Sequence, residues 1–426
     1  MLLEFKTKNY KSFKEELVFS MVRAQKQKGL DYSLLKAQIG KEKYSVLSSA
    51  IVYGPNASGK SNIISAMDTF KNIILRGHIR NTSERSVPNV ATHNMELIPN
   101  RSNTKEPVSF SIKFIQDEMQ IEYILKAELG EFLDKDYKRN IAYEELRINN
   151  ERMFLREENY FGIEDPTINK KDADNFTNGI LDNLLPDELF LMNGYKSIVN
   201  AKLAALIANW LGRKFLAVFR ADAMDFPLIS GDTYTENILN DAARIFGASN
   251  MISFAKSDDD KRIRLYSIFE ADDSNMKMAL PLDVYESYGT VRFANIFPFI
   301  LYVIANGGVL IVDEFDASIH PMALMSIINI FHDNEINTNK AQLIFNTHNP
   351  IFLNSNLFRR DEIKFVERDE ETGNSTHYSL SDFKTSGKNG VRKTDDYMKN
   401  YFVSRYGAIR DIDFTSIFEK LIETQN

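Results

Sequence analysis

Apolar residues recur along the chain with two different periods, and the switch between them marks out three stretches. In the first, Ser49-Ala50-Ile51-Val52-Tyr53 is a short continuous run of the kind a buried strand makes. A glycine-containing loop follows, and then Ile63, Ile64, Met67, Phe70, Ile73 and Ile74 repeat at helical spacing. In the middle stretch, from about residue 80 to 280, Val108 to Phe114 and Ile121 to Tyr123 alternate strictly on either side of the polar Gln116-Asp117-Glu118. That pattern predicts an antiparallel hairpin. Further on, Leu191, Tyr195, Val199, Leu203, Leu206 and Trp210 form a helical stripe, which ordinary core packing explains without a binding role. In the last stretch a helical segment leads to the apolar strand Val309 to Val312, a helix follows over 322–331, and Gln342 to Phe345 forms another strand.

Strands that alternate with helices at both ends of the chain predict one α/β core. The expected division is therefore 1–80 with 281–426 as the core, and 81–280 as a β-rich lobe and helical insertion. Neither an internal repeat, a heptad array nor a low-complexity linker is visible, and the polar stretch 385–396 reads as a mobile loop.

Composition narrows the class. At 426 residues, with 43% apolar and 26% charged residues, the chain can bury a sizeable core, and 30 Phe and 18 Tyr supply it. The net charge of −7 argues against a strongly basic nucleic-acid binder, although basic residues could still line one groove. With no cysteine, a disulfide, a thiolate zinc site and a cysteine nucleophile are excluded. Met1 to Lys6 lacks the apolar run of a signal peptide. The apolar run 293–305 is short for a membrane span and broken by Pro298. The expectation is a cytoplasmic protein with no membrane partner.

Candidate chemistry concentrates where the strands end. Gly54-Pro55-Asn56-Ala57-Ser58-Gly59-Lys60-Ser61 fits the pattern G-x-x-x-x-G-K-[ST] in full, with the required strand before it and helix after it. The glycines let backbone N–H groups wrap phosphates at the positive end of the following helix, which Asn62 continues. Lys60 then reaches the β- and γ-phosphates of ATP, and the Ser61 hydroxyl ligates Mg²⁺. The second candidate is Asp313-Glu314, two carboxylates at the C-terminal end of the Val309–Val312 strand, where α/β sheets bind ligands. Asp313 would hold the Mg²⁺ hydration shell, and Glu314 would take a proton from the attacking water. The bland alternative is a strand ending in a solvated acidic turn. The third is His348, in Asn346-Thr347-His348-Asn349 at the end of the next strand, placed to contact the γ-phosphate and orient water. A lone histidine is more often structural, as His320 and His332 are expected to be. The fourth is Glu286-Ser287-Tyr288-Gly289-Thr290, which opens a helix.

In this order, and with Asp316-Ala317-Ser318 after Glu314, these parts resemble the ABC-type AAA ATPases. Within that class they are similar to the overcoming-lysogenization-defect (OLD-like) ATPases and their relatives in abortive-infection and PARIS-type phage-defence systems. The residues that carry the subgroup are Asn9-Tyr10-Lys11-Ser12-Phe13, Glu286 to Arg292, Asp313 to Pro321, Thr347-His348-Asn349-Pro350 and Ser404 to Ile409. The resemblance covers the two ends well and the middle loosely. It implies an ABC-type P-loop ATPase head whose signature, Ser287 and Gly289, completes the nucleotide site of a second subunit. A homodimer or a ring of dimers, a separate effector such as a nuclease or toxin, and a phage-encoded trigger follow from it, and nucleic acid stays open as a partner. Gly289 would then face the partner's phosphate, so a carboxylate placed there would block association and leave the monomer intact.

Four features depart from that pattern or test it. Tyr288 stands where transporter signatures carry glycine, and Pro298 interrupts the helix after the signature, at a cost of about 3 kcal/mol. The glutamine loop of ABC proteins has no clear counterpart, His93 to Leu97 being the nearest region. Glu367 with Asp411 and Asp413 suggests a TOPRIM nuclease, but only 59 residues follow Glu367, too few for that domain, and solvated acidic residues are the expectation. The competing function is a DNA-clamping ATPase of repair or recombination, related to RecF and SMC proteins. A long coiled coil of the SMC kind is excluded, because about 225 residues without heptads separate the P-loop from the signature.

Overall fold

The structure is a computed structural model that describes residues 1–426 apart from 26, 28, 81–95, 131–137, 159, 220–232, 257–262, 271–276, 386–389, 411 and 424–426. Its centre is a six-stranded sheet of β5 (Ser49–Tyr53), β11 (Phe215–Val218), β15 (Val309–Val312), β16 (Gln342–Asn346), β17 (Ile363–Arg368) and β18 (Ser375–Ser379). The order is β11-β15-β16-β5-β17-β18, parallel throughout except for β18, which pairs antiparallel to β17. Every residue of β5, β15 and β16 is buried, which is why these strands read as continuous apolar runs and not as alternations. Alternate side chains serve opposite faces. Ala50, Val52, Val309, Ile311 and Ile344 join one core, and Ile51, Tyr53, Leu310, Val312, Leu343 and Phe345 join the other.

Helix α1 (Lys60–Arg76) covers the first face and buries the six residues whose spacing predicts it. Its Phe70 packs against Phe5, Phe110 and Tyr123 of a seven-stranded antiparallel sheet. That sheet runs β10-β9-β8-β7-β6-β1-β2. Its members are β1 (Leu2–Lys8), β2 (Leu17–Ser20), β6 (Val108–Gln116), β7 (Met119–Glu128), β8 (Asn140–Ile148), β9 (Glu151–Glu157) and β10 (Tyr160–Ile163). The expected hairpin is β6–β7, turning at Asp117 and Glu118, both with positive φ. A small hairpin of β3 (Leu34–Ile39) and β4 (Glu42–Leu47) completes this side.

The helical stripe is core packing, but not one helix. A π-helical segment runs Leu191–Val199, breaks at Asn200, and resumes as α3 (Ala201–Asn209), which the Asn200 side chain caps. Buried Glu144 anchors the start by accepting from Phe190 N and Leu191 N, and Trp210 stacks on Phe114 at 3.8 Å. Also in the middle stretch lie α2 (Lys170–Asn183), α4 (Thr233–Phe246) and a three-stranded sheet of β12 (Met251–Lys256), β13 (Ile263–Glu270) and β14 (Lys277–Pro281).

The second face of the central sheet is covered by α6 (Tyr288–Asn306), preceded by the short α5 (Leu282–Tyr285), and by α7 (Pro321–His332). Here the structure corrects the sequence: α6 runs through Pro298 without interruption. Burying Phe293, Ala294, Ile296, Ile300 and Val303 outweighs the one backbone bond the proline forfeits. The helix is therefore longer than the apolar run suggests, and by length and composition it could cross a membrane. It instead carries buried Arg292 and Asn295 and packs on the core around β15. Helices α8 (Tyr397–Phe402) and α9 (Thr415–Glu423) end the described chain.

Two pairings cross the expected division at 80 and 281. β1 pairs with β6, and β11 pairs with β15 at the edge of the central sheet. The division is one of chain segments and not of sheets.

Candidate functional site

Parallel pairing in register sets the C-terminal ends of β5, β16 and β15 side by side, with Val312 opposite Phe345 and Ile51 beside Phe345. Three loops therefore leave the sheet together: Gly54 to Gly59, Asp313 to Ser318, and Thr347 to Asn349.

The first loop is shaped by residues that only a close approach explains. A side chain on Gly54 would overlap the Val366 carbonyl, and one on Gly59 would stand 2.7 Å from Ser375 Oγ and 2.8 Å from Ser12 Oγ. Gly59 and Ala57 both have positive φ, a conformation that costs an alanine strain. Outside contacts hold it: Arg368 donates to Ala57 O at 3.2 Å, and Ser375 Oγ donates to Ser58 O at 2.5 Å. Lys60 is buried at the first turn of α1 and donates to Gly54 O and Pro55 O at 2.8 and 3.0 Å. Burial lowers its pKa to about 8, against the opposing pull of Asp313, Glu314 and Asp316.

The second loop meets the first through Ser61 Oγ, which donates to Asp313 Oδ1 at 3.0 Å. Asn346 Nδ2 donates to the same carboxylate oxygen. Burial pushes the Asp313 carboxyl above its ordinary range, while the Asn346 and Ser61 hydrogen bonds pull it back. Glu314 is exposed and has φ +48°, and its N–H donates to Asn346 Oδ1 at 2.5 Å. His348 faces solvent at its rim. Desolvation first, and the Lys60 charge second, hold it below the usual histidine pKa, so it is neutral at pH 7. Lys60, Ser61, Asp313, Glu314 and His348 thus form one electrostatic neighbourhood.

The two oxygens of Ser61 and Asp313 are hard donors within a hydrogen bond of each other, which fits Mg²⁺. Among the described residues no cluster of three His, Asp or Glu gathers here. Such a cation would take its remaining ligands from water and phosphate, the usual pattern for Mg²⁺ at nucleotide sites.

Ser287 caps α6, accepting from Thr290 N at 3.2 Å, and it is exposed. Glu286 is tied back to Asn250 and Ser267 of the middle stretch at 3.1 and 3.0 Å. Among the described residues neither Ser287 nor Gly289 bonds to the P-loop of its own chain. Gly289 is packed against its own chain, because a Cβ there would overlap the Ser318 carbonyl. The space on the Cβ side of Gly289 is therefore taken by its own chain.

Sequence reasoning missed several supports. Tyr10 OH meets Ser65 and Thr69 on α1 at 3.1 Å each, and Asn62 Nδ2 donates to Ser12 Oγ at 2.8 Å. The Asn9–Phe13 motif therefore braces the helix behind the P-loop. Ser404 to Ile409 wraps Glu367, whose carboxylate accepts from Ala408 N, so that glutamate is structural. Asp413 accepts from Thr415 N at 2.8 Å at the start of α9, and Asp411 lies outside the described residues. Beside the P-loop these pieces enclose a cleft of about 810 Å³, lined by Pro55 to Ser58, Arg101, Arg368 and Ala408 to Arg410. Of the glutamine-loop candidate, His93, Asn94 and Met95 lie outside the described residues, and Glu96 pairs with Lys11. Residues 386–389 of the stretch read as a loop also lie outside them.

The profile of one protein family, described as "AAA domain, putative AbiEii toxin, Type IV TA system", matches residues 49–354. That span contains the P-loop, the signature, Asp313-Glu314 and His348. No curated protein matches the chain. Solved structures similar to it include an SMC head bound to the C-terminal winged-helix domain of ScpA, at 12% identity and a TM-score of 0.41, covering 89% of this chain and 97% of that one. Another is the SMC head domain from Thermotoga maritima, at 14% identity and a TM-score of 0.37, covering 89% and 98%.

Proposed function

The chain belongs to this AAA-domain family, and on that premise we propose that it binds and hydrolyses ATP at a site shared between two subunits, as the ATPase of a phage-defence complex. The observation that carries the reading is the convergence of Lys60, Ser61, Asp313 and Glu314 at the ends of adjacent parallel strands. Gly54 to Asn62 would hold the phosphates, with Lys60 as the point charge. Ser61 and Asp313 would hold Mg²⁺, which supplies charge neutralisation at the β- and γ-phosphates. Glu314 stands exposed beside that pair and would accept the proton of the attacking water, and neutral His348 would orient it. Ser287, at an exposed helix N-terminus, presents N–H groups and a dipole that favour an anion, here the partner subunit's γ-phosphate.

The family's description names a toxin and a toxin–antitoxin system. That supports a role in which ATP-dependent association senses infection and controls a separate nuclease or toxin, in the cytoplasm, as the OLD-like motifs also suggest.

Glu314→Gln tests the activity. It keeps the side-chain shape and the Mg²⁺ ligands, so ATP should still bind while turnover falls about 10²- to 10⁴-fold. Wild-type turnover in this variant sinks Glu314 as the base. For the biological role, cells carrying the gene with its neighbours should lose protection against phage when Lys60→Ala or Glu314→Gln is introduced. Unchanged protection would detach the ATPase from defence.

A further inference from the structure

We propose that Arg292 is a positioning residue that ties the signature helix to the backbone of Glu314, so that engagement of the signature sets the base. The inference rests on Glu314 acting as the general base. Arg292 is buried on α6, five residues beyond Ser287. Its guanidinium donates to the carbonyls on both sides of one peptide step, Asp313 O at 3.0 Å and Glu314 O at 2.5 Å. Among the described residues no carboxylate pairs with it, and its Nε has no hydrogen-bond partner. A buried cation without a counter-ion is costly, and these two carbonyls are what this one is used for.

What it holds is a strained residue. Glu314 has φ +48°, a conformation that a side chain with a Cβ rarely adopts, and it persists only where its surroundings over-determine it. They do so from two sides. Asn346, at the end of β16, accepts from Glu314 N at 2.5 Å and donates to the Asp313 carboxylate. Arg292 holds the carbonyl side. The base is thus clamped between a rigid strand and the helix whose first turn carries the signature. Gly289 on the same helix packs against the Ser318 carbonyl, so α6 touches the loop after β15 at two places. Arg292 lies roughly 7 Å along the helix axis from Ser287 at 1.5 Å per residue. A small displacement of α6 when a partner's phosphate meets Ser287 therefore reaches the Glu314 carbonyl through one side chain.

The experiment compares Arg292→Lys with wild type, alone and in the Glu314→Gln background, by equilibrium ATP binding, thermal unfolding and single-turnover hydrolysis. One nitrogen, Nη2, meets both carbonyls, and a lysine keeps the charge but is shorter and lacks the planar guanidinium that aims that nitrogen. The expected result is unchanged ATP affinity and folding, with hydrolysis slowed about 10- to 100-fold, the scale of a base misplaced by about an ångström. In Glu314→Gln the same substitution should slow the residual rate no further, because a residue acting through Glu314 has nothing left to position. Equal loss in both backgrounds, or no loss in either, overturns the proposal and leaves Glu314 in its role. Wild-type turnover in Glu314→Gln alone overturns both. Should Arg292→Lys fail to fold, Arg292→Gln, with a planar amide donor, is read by the same comparison.

Discussion

Lys60 shows how much of the site is decided at single residues. In the free loop its ammonium is satisfied by two carbonyls of its own P-loop, and burial lowers its pKa to about 8. A phosphate would favour the charged form, so ATP binds the protonated lysine and raises its pKa. The sign follows: below pH 8 the free site is already charged and affinity is flat. Above pH 8 the lysine must first take up a proton, and affinity should fall toward tenfold per pH unit. Calorimetry at pH 8.5 in buffers of different ionisation enthalpy should show proton uptake on binding, and Lys60→Arg should abolish it. Uptake that persists in Lys60→Arg would assign the proton elsewhere. The lysine, Ser61 and the Asp313-Glu314 pair are legible in the sequence because each stands in a short local pattern beside a strand. Asn346, Ser375 and Arg368 are not, because each acts on a loop 32 or more residues away in sequence. Asn346 could have been noticed for its place at a strand end, whereas nothing local marks Ser375.

Helix α6 is the element on which sequence reasoning was tested hardest. Its start at Ser287 was readable from the serine cap and the glycine that follows, whereas its passage through Pro298 was not. Intrinsic propensity counts a lost hydrogen bond but cannot see that the helix lies on the core formed around β15, where tertiary burial decides. The same blindness applies to Gly289. A signature glycine invites the reading that a partner needs the room, yet the Ser318 carbonyl of the same chain already takes it. Gly289→Ala should therefore destabilise the protein without any nucleotide or partner present, by about 1–3 kcal/mol, the usual cost of overpacking. Chemical denaturation of the nucleotide-free protein at a concentration where it is monomeric measures this. An unchanged midpoint would mean that the loop at Ser318 yields freely, and the glycine would then be reserved for the partner after all. A carboxylate at 289 consequently confounds two effects, and the partner surface has to be probed elsewhere on the helix.

At the scale of the whole molecule, the pairing of β1 with β6 and of β11 with β15 joins stretches that the sequence separates. Periodicity reports which face of a strand is buried but not which strand lies beside it, so the three stretches were legible and their interweaving was not. Association between subunits, which the signature's resemblance implies, can be tested at Ser287. That serine is exposed, its role within the chain is to cap α6, and aspartate caps a helix as well as serine does. Ser287→Asp should therefore fold and bind ATP as a monomer. It should fail to associate or hydrolyse, because a carboxylate now meets the partner's γ-phosphate at close range. Lys60→Ala should fail for the opposite reason, with an intact signature and no phosphate grip. Mixed together, the two inactive proteins should regain activity. In a mixed dimer one composite site joins the intact P-loop of the Ser287→Asp subunit to the intact signature of the Lys60→Ala subunit, and the other site carries both defects. Each mixed dimer carries one working site of two, so with independent sites turnover should recover to no more than about half of wild type. Recovery should rise with protein concentration, since it requires association. If Ser287→Asp alone hydrolyses ATP at the wild-type rate, each subunit is complete by itself and the shared site is wrong. If the mixture stays inactive while each protein is folded and Ser287→Asp still binds ATP, Ser287 does not meet a partner's phosphate.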